Sequence, residues 1–376
     1  MNPLKQLEEC GQSVWLDYLK RSLVEKGELR QLIERDGLKG LTSNPSIFEK
    51  AIGESDEYQQ AIEAFQARGD HSTTDIYEHL AIADIQAAAD VLRPVYETTK
   101  GRDGYVSLEC SPYLANDTDG TIAEAMRLWA AVDRPNLMVK VPGTPAGIPA
   151  IRHLIGKGLN INITLLFSVA VYEQVVEAYL SGLEEFQKAG GDVSKVASVA
   201  SFFVSRVDTA IDAQLKNLPD KQAAAQLRGK GAIANAKLAY ARYKDLFSGP
   251  RWQKLASADA RTQRLLWAST SSKDPAYKDT IYVEELIGRD TVNTMPLVTM
   301  DAFRDHGVVT PDTIERDVEG ARAVFAALED QGVRLDGIME KLVIDGVKQF
   351  SDAFDKLLAA IETKRSKLLQ GEAAGS

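Results

Sequence analysis

The chain has 376 residues, and 44 Lys and Arg against 54 Asp and Glu leave a formal net charge of −10. That balance disfavours nucleic acid and anionic lipid as partners, though not one basic pocket for a phosphorylated small molecule. Hydrophobic residues at 44% and charged residues at 26% describe a folded globular chain, long enough for two domains or one large barrel.

The amino terminus, MNPLKQLEECGQ, carries charges where a signal peptide needs its apolar region, and no stretch approaches ~18 consecutive apolar residues, so the chain reads as cytoplasmic with no membrane partner. Short apolar, β-branched runs then alternate with longer segments of helical periodicity. In chain order the predicted strands are Ser13–Leu16, Leu38–Thr42, Tyr105–Leu108, Leu137–Val141, Leu159–Ile163, Val196–Ala200, Arg264–Ala268 and Thr291–Met295. Eight is the number that closes a parallel barrel, and the alternation predicts an α/β fold, a single (βα)8 TIM barrel over residues 1–367.

Helical patterns occupy Ile122–Trp129, Ala170–Phe186 and Ile314–Glu329. Three intervals are too long for one helix each: 43–104, 206–262 and everything after Pro296, so extra helices between strands and a helical C-terminal segment are expected. Pro219-Asp220 and Ser248-Gly249-Pro250 divide the second interval, and Gly307 with Pro311-Asp312-Thr313 divides the third. Residues 368–376, ending in GEAAGS, read as a disordered tail.

In such a barrel the chemistry sits at the carboxyl ends of the strands. Here those ends are polar: Asp17, Asn44, Glu109, Lys140, Asn162 with Thr164, Ser201, Ser269 and Met295-Pro296. Lys140 lies inside Leu-Met-Val-Lys-Val, a strand with two buried faces. If Val139 and Val141 face the helices, Lys140 points into the barrel, where an ammonium is costly to desolvate and a neutral amine can attack a carbonyl. The competing reading is a lysine that snorkels to solvent or pairs with a carboxylate.

Asp17 and Glu109 are then either acid and base or counter-ions of that lysine. Asn44 before Pro45 also fits an ordinary helix start, Asn as N-cap and Pro at the first helical position. Asn162, an amide inside an apolar strand, must find hydrogen-bond partners, and a substrate hydroxyl would serve. Arg206 after Ser201 and Lys273 after Ser269 could form a phosphate cradle at the barrel mouth. The Gly229-Lys230-Gly231 run has a dinucleotide-like form but follows a helical pattern, not a strand. His71, His79, His153 and His306 lack metal-ligand spacing, so no metal is expected. Of the two cysteines, which make no disulfide framework, Cys110 reads as buried packing rather than a switch.

Together these residues resemble the transaldolase family over roughly residues 10 to 350. The resemblance is carried by Val-Trp-Leu-Asp-Tyr around Asp17, Thr42-Ser43-Asn44-Pro45-Ser46, Ser-Leu-Glu-Cys around Glu109, Met138 to Pro142, Asn162-Ile163-Thr164-Leu165-Leu166-Phe167-Ser168 and Ser201 to Arg206. Tyr282 to Gly288 followed by Thr291 to Pro296 is similar to the longer bacterial and plant-type branch. The resemblance implies a (βα)8 barrel and transfer of a dihydroxyacetone unit between sugar phosphates, without metal or cofactor, in the non-oxidative pentose phosphate pathway. It implies Lys140 as the Schiff-base lysine, Asp17 as acid/base, and Glu109 with Thr164 as holders of a catalytic water. Asn44 and Asn162 would hold the three-carbon hydroxyls, Ser201 would be another polar residue of the pocket, and Arg206 would be the main phosphate ligand.

The chain departs from many family members after Ser269, where an arginine is common two residues on; Lys273 is expected to supply that charge. Family habit implies a homodimer. A lysine-dependent fructose 6-phosphate aldolase is the enzyme alternative, disfavoured by Glu109 and by length, and a non-catalytic sugar-phosphate binding barrel is the alternative from another class.

Overall fold

A computed structural model of the protein describes the backbone of residues 2–374 and the side chains of 2–367. Eight parallel strands close in sequence order: β1 Gln12–Asp17, β2 Gly40–Thr42, β3 Tyr105–Glu109, β4 Leu137–Pro142, β5 Ile161–Leu166, β6 Ser198–Phe203, β7 Arg264–Ala268 and β8 Thr291–Met295. All eight expected strands are present. β5 and β6 start two residues later than their apolar runs because Asn160 Oδ1 accepts from the Ala197 amide before the sheet begins.

Alternation sorts each strand between barrel and helices. Val106, Leu108, Val139 and Val141 are buried, and between them Ser107, Glu109 and Lys140 point inward. At the amino-terminal end, a polar plug closes the barrel: Arg264 donates to Asp103 and Ser13, while Ser13 Oγ and Trp15 Nε1 also donate to Asp103. Trp15 pairs in register with Gly40, and a Cβ on Gly40 would stand 2.5 Å from the indole ring, so β2 needs glycine there.

The long intervals hold several helices each, as expected. Asp220 caps Lys221–Leu227, and Pro250 opens Pro250–Ala256, so both turn signals mark real helix starts. The helix Lys221–Leu227 precedes Gly229, where the dinucleotide pattern would need a strand. The expected helix Ile314–Glu329 is corrected: it is a short 3₁₀ turn, Thr313–Glu315, and a helix, Val318–Asp330. Asp317 breaks it, with φ +55° and a carboxylate that accepts from the Gly320 amide at 3.0 Å, so local capping wins over the apolar period.

The last helix, Leu335–Ala374, packs on the segments that follow β2 and β3, on the end of β5 and on the helix after β6. It thus crosses the carboxyl-end mouth of the barrel. Its backbone remains helical past residue 368, where the sequence reads as a tail; residues 375–376 lie outside the described residues. No helix among the described residues is long and apolar enough to cross a membrane.

Candidate active site

Neighbouring strands in register place Glu109 beside Lys140 and Lys140 beside Asn162. Lys140 is 5% exposed, so it does not snorkel. Its Nζ donates to Glu109 Oε2 at 2.9 Å and to the Ser43 carbonyl at 2.9 Å. Burial pushes the Glu109 carboxyl above the usual range, Lys140 pulls it back, and the charge on Asp17 adds to the rise. The Ser43 carbonyl was not legible as a partner, since a backbone group carries no residue signal.

Asp17 ends β1 at the mouth. Thr42 Oγ1 bonds to Asp17 Oδ1 at 2.8 Å and lies 2.9 Å from Thr294 Oγ1, so three neighbouring strands hold the carboxylate. Desolvation raises the Asp17 pKa, against the pull of Lys140, the Thr42 hydroxyl, Arg206 and Lys273. Desolvation thus raises the pKa of both carboxyl groups, and of the two Glu109 shares a hydrogen bond with the buried amine along which a proton can pass.

Asn162 finds its partners within the protein. Its Nδ2 donates to Ser107 Oγ at 3.0 Å, and Ser201 Oγ donates to its Oδ1 at 2.6 Å, a chain across β3, β5 and β6. A substrate hydroxyl is therefore not required to satisfy the Asn162 carbonyl oxygen. Asn44 caps Pro45–Phe48, its Oδ1 accepting from the Ile47 amide at 3.0 Å, which leaves its NH₂ for other contacts. Thr164 Oγ1 is buried with no protein partner, two residues from Asn162 on the same inward face.

Arg206 opens the helix Ser205–Leu215 beyond β6. Its guanidinium stacks 5.1 Å from the Phe203 ring and 5.9 Å from that of Phe350, and its Nη1 is buried with no protein partner. Burial lowers its pKa, against the fields of Glu109 and Asp17. Ser269 does not stand alone as a ligand: its Oγ lies 2.8 Å from Ser205 Oγ, and its carbonyl accepts from the Ser205 amide at 3.0 Å, pinning the start of the Arg206 helix. Lys273 is exposed on the loop after β7, where it lines a cleft with Asp208 and Asp212; it makes no ion pair among the described residues.

Two residues here have left-handed backbone: Ser269 at φ +56° and Leu165 at φ +60°, the latter at a register shift between Ile163 and Leu166. Such conformations cost about 1–3 kcal/mol each and persist where the surroundings fix them. They turn β5 just beyond Thr164 and β7 beside Ser205.

The histidines lie apart from this cluster: His71 and His79 stack on Phe65, and His306 sits between Asp279 and Asp305. Among the described residues no group of three His, Cys, Asp or Glu is arranged to hold a metal ion. Cys110 is buried beside Glu109, as its apolar context suggests. A buried amine bonded to one carboxyl group and within the field of a second, with a guanidinium across the Phe350 ring, suits covalent capture of the carbonyl of an anionic sugar.

Comparison with known proteins converges on the same chemistry. The family model described as Transaldolase/Fructose-6-phosphate aldolase matches residues 14–361. A protein named Transaldolase from Trichodesmium erythraeum is 46% identical over 376 residues, covering 98% of each chain. Another of that name from Thermobifida fusca is 49% identical over 357 residues, covering 95% of this chain and 96% of its own. Transaldolase 1 from Streptomyces coelicolor is 49% identical over 370 residues, covering 98% and 97%.

Proposed function

The chain belongs to the transaldolase/fructose-6-phosphate aldolase family, and we propose that it works through an imine on Lys140. It is a transferase of the transaldolase kind. Its donors in this reading are sedoheptulose 7-phosphate or fructose 6-phosphate, and its acceptors glyceraldehyde 3-phosphate or erythrose 4-phosphate. The work belongs to the non-oxidative pentose phosphate pathway.

The observation that carries the reading is the buried contact of Lys140 Nζ with Glu109 and the Ser43 carbonyl. Glu109, whose carboxyl is biased toward protonation, takes the Lys140 proton along the 2.9 Å hydrogen bond and frees the amine lone pair. The amine attacks the C2 carbonyl of the ketose, and the carbinolamine loses water with a proton from the Glu109 side. Thr164 Oγ1, uncommitted within the protein, helps to hold that water.

Asp17 then takes the proton of the C4 hydroxyl. The C3–C4 bond breaks, its electron pair moves into the iminium, and the aldose product leaves. The three-carbon fragment remains on Lys140 as an enamine, with Asn44 and Asn162 beside its hydroxyls. An acceptor aldehyde is attacked by C3 and receives the proton from Asp17, and hydrolysis frees the new ketose. Arg206, with Lys273 further out, holds the phosphate of each sugar.

Product analysis tests the transfer. Fructose 6-phosphate with erythrose 4-phosphate is expected to yield sedoheptulose 7-phosphate and glyceraldehyde 3-phosphate together. Free dihydroxyacetone as the main product, with the acceptor present, would replace this reading by an aldolase.

A further inference from the structure

The last helix brings into the site a ring that no strand supplies. Phe350 is 5% exposed, with its ring centre 6.0 Å from Lys140 Nζ and 5.9 Å from Arg206 Cζ. The helix comes this close because Gly346, one turn earlier, has no side chain. A Cβ there would stand 2.8 Å from Leu165 Cδ2 and 3.6 Å from Arg206 Nη1. One helical turn therefore roofs the span between the amine and the guanidinium.

We propose that Phe350 is a specificity-determining residue that decides between transfer and release. This rests on the imine reading above. With C2 of the sugar on Lys140 and its phosphate at Arg206, C3 is the first carbon along the strip beneath Phe350. C3 is also the nucleophilic carbon of the enamine after cleavage. Water at the roof would deliver a proton to C3 and regenerate the iminium. A second water would then add to C2, a proton would pass from that oxygen to nitrogen, and the C2–N bond would break with its electron pair going to nitrogen. Free dihydroxyacetone and the Lys140 amine would result.

In transfer, C3 instead bonds to the aldehyde carbon of the acceptor, whose oxygen takes the proton. An apolar ring over C3 slows protonation by solvent without blocking the Glu109 side, where water is needed to make and break the imine. Phe354, one turn further on, stacks edge-on against Tyr77 and Tyr113 instead, so it anchors the helix outside the strip.

The test compares the parent protein with Phe350→Ala, Phe350→Leu and Phe354→Ala, supplied with fructose 6-phosphate. It reads free dihydroxyacetone without acceptor against sedoheptulose 7-phosphate formed with erythrose 4-phosphate. The ratio of release to transfer is expected to rise by about tenfold or more in Phe350→Ala and less in Phe350→Leu. It is expected to stay unchanged in Phe354→Ala. An unchanged ratio in Phe350→Leu and in folded Phe350→Ala, both still trapped by borohydride on Lys140, would overturn the proposal. So would an equal rise in Phe354→Ala, which would assign the effect to helix docking. Failure of the parent protein to form any Lys140 adduct would instead remove the imine reading on which the proposal stands.

Discussion

Lys140 and Glu109 are register partners on adjacent strands, and their charged ends meet at 2.9 Å with both side chains buried. A buried pair of this kind leaves an uncompensated charge when one partner is removed, so its members are read best through isosteric changes. Glu109→Gln keeps the shape of the side chain and removes its capacity to take a proton. It is expected to lower kcat by about 10²–10⁴-fold with KM little changed, the range for loss of a general base. Steady-state kinetics on fructose 6-phosphate checks this, and a kcat within about threefold of the parent would exclude the assigned role.

Asp17 acts after the imine has formed, so its loss should separate capture from cleavage. Asp17→Asn retains an acceptor for the Thr42 hydroxyl and removes the base. Borohydride is expected to trap the uncleaved sugar on Lys140, with turnover reduced by about 10²-fold or more. Normal turnover, or loss of the adduct altogether, would place Asp17 elsewhere in the reaction.

Arg206 and Lys273 differ in burial, and their losses should differ accordingly. The Arg206 guanidinium is largely buried, with an Nη1 that no protein atom engages, whereas Lys273 is exposed on its loop. Arg206→Ala is expected to raise KM for sugar phosphate by about 10–100-fold, the scale of a charge-assisted hydrogen bond. Lys273→Ala should raise it only about two- to fivefold because water screens its charge. An unchanged KM in Lys273→Ala would leave Arg206 as the phosphate ligand without that aid.

Asp208, buried beside the cleft that Lys273 lines, gives a pH prediction with a definite sign. Burial lifts its carboxyl from 3.8 to about 6, against hydrogen bonds from Tyr282 and the Ala232 amide, with the Asp212 charge adding to the rise. Its folded value thus exceeds its unfolded one. The stability it contributes is fully present below about pH 4 and is lost as pH rises through about 6. Urea unfolding of the parent and of Asp208→Asn should therefore show a stability difference that moves against the parent over that window. A difference independent of pH would contradict the assignment.

The barrel was legible because each strand is a short apolar run between turn or helix signals, and the eight runs supply the eight staves that are found. Lys140 stood out because a charge inside Leu-Met-Val-Lys-Val has no ordinary place. Contacts between distant segments were not legible. The Ser43 carbonyl is backbone, and the bonding of Thr42 to Asp17 and Thr294 depends on how three strands meet. Asn162 signalled a need for partners, but Ser107 and Ser201 emerge as those partners only once β3 and β6 flank the same interior. Phe350 looks in sequence like any core position of an amphipathic helix; the crossing of that helix over the mouth gives it a place between Lys140 and Arg206. At Asp317 a legible period ran ahead of the true helix start, because a single side chain can cap a turn against it.

The central claim is a covalent bond between Lys140 and the sugar. Incubation with fructose 6-phosphate and borohydride, followed by intact-mass measurement and peptide mapping, tests it most directly, since reduction converts an imine into a stable amine. The account predicts one three-carbon adduct per chain, located on Lys140. No adduct in a folded sample with sugar phosphate in excess, or an adduct on a different lysine, would contradict it.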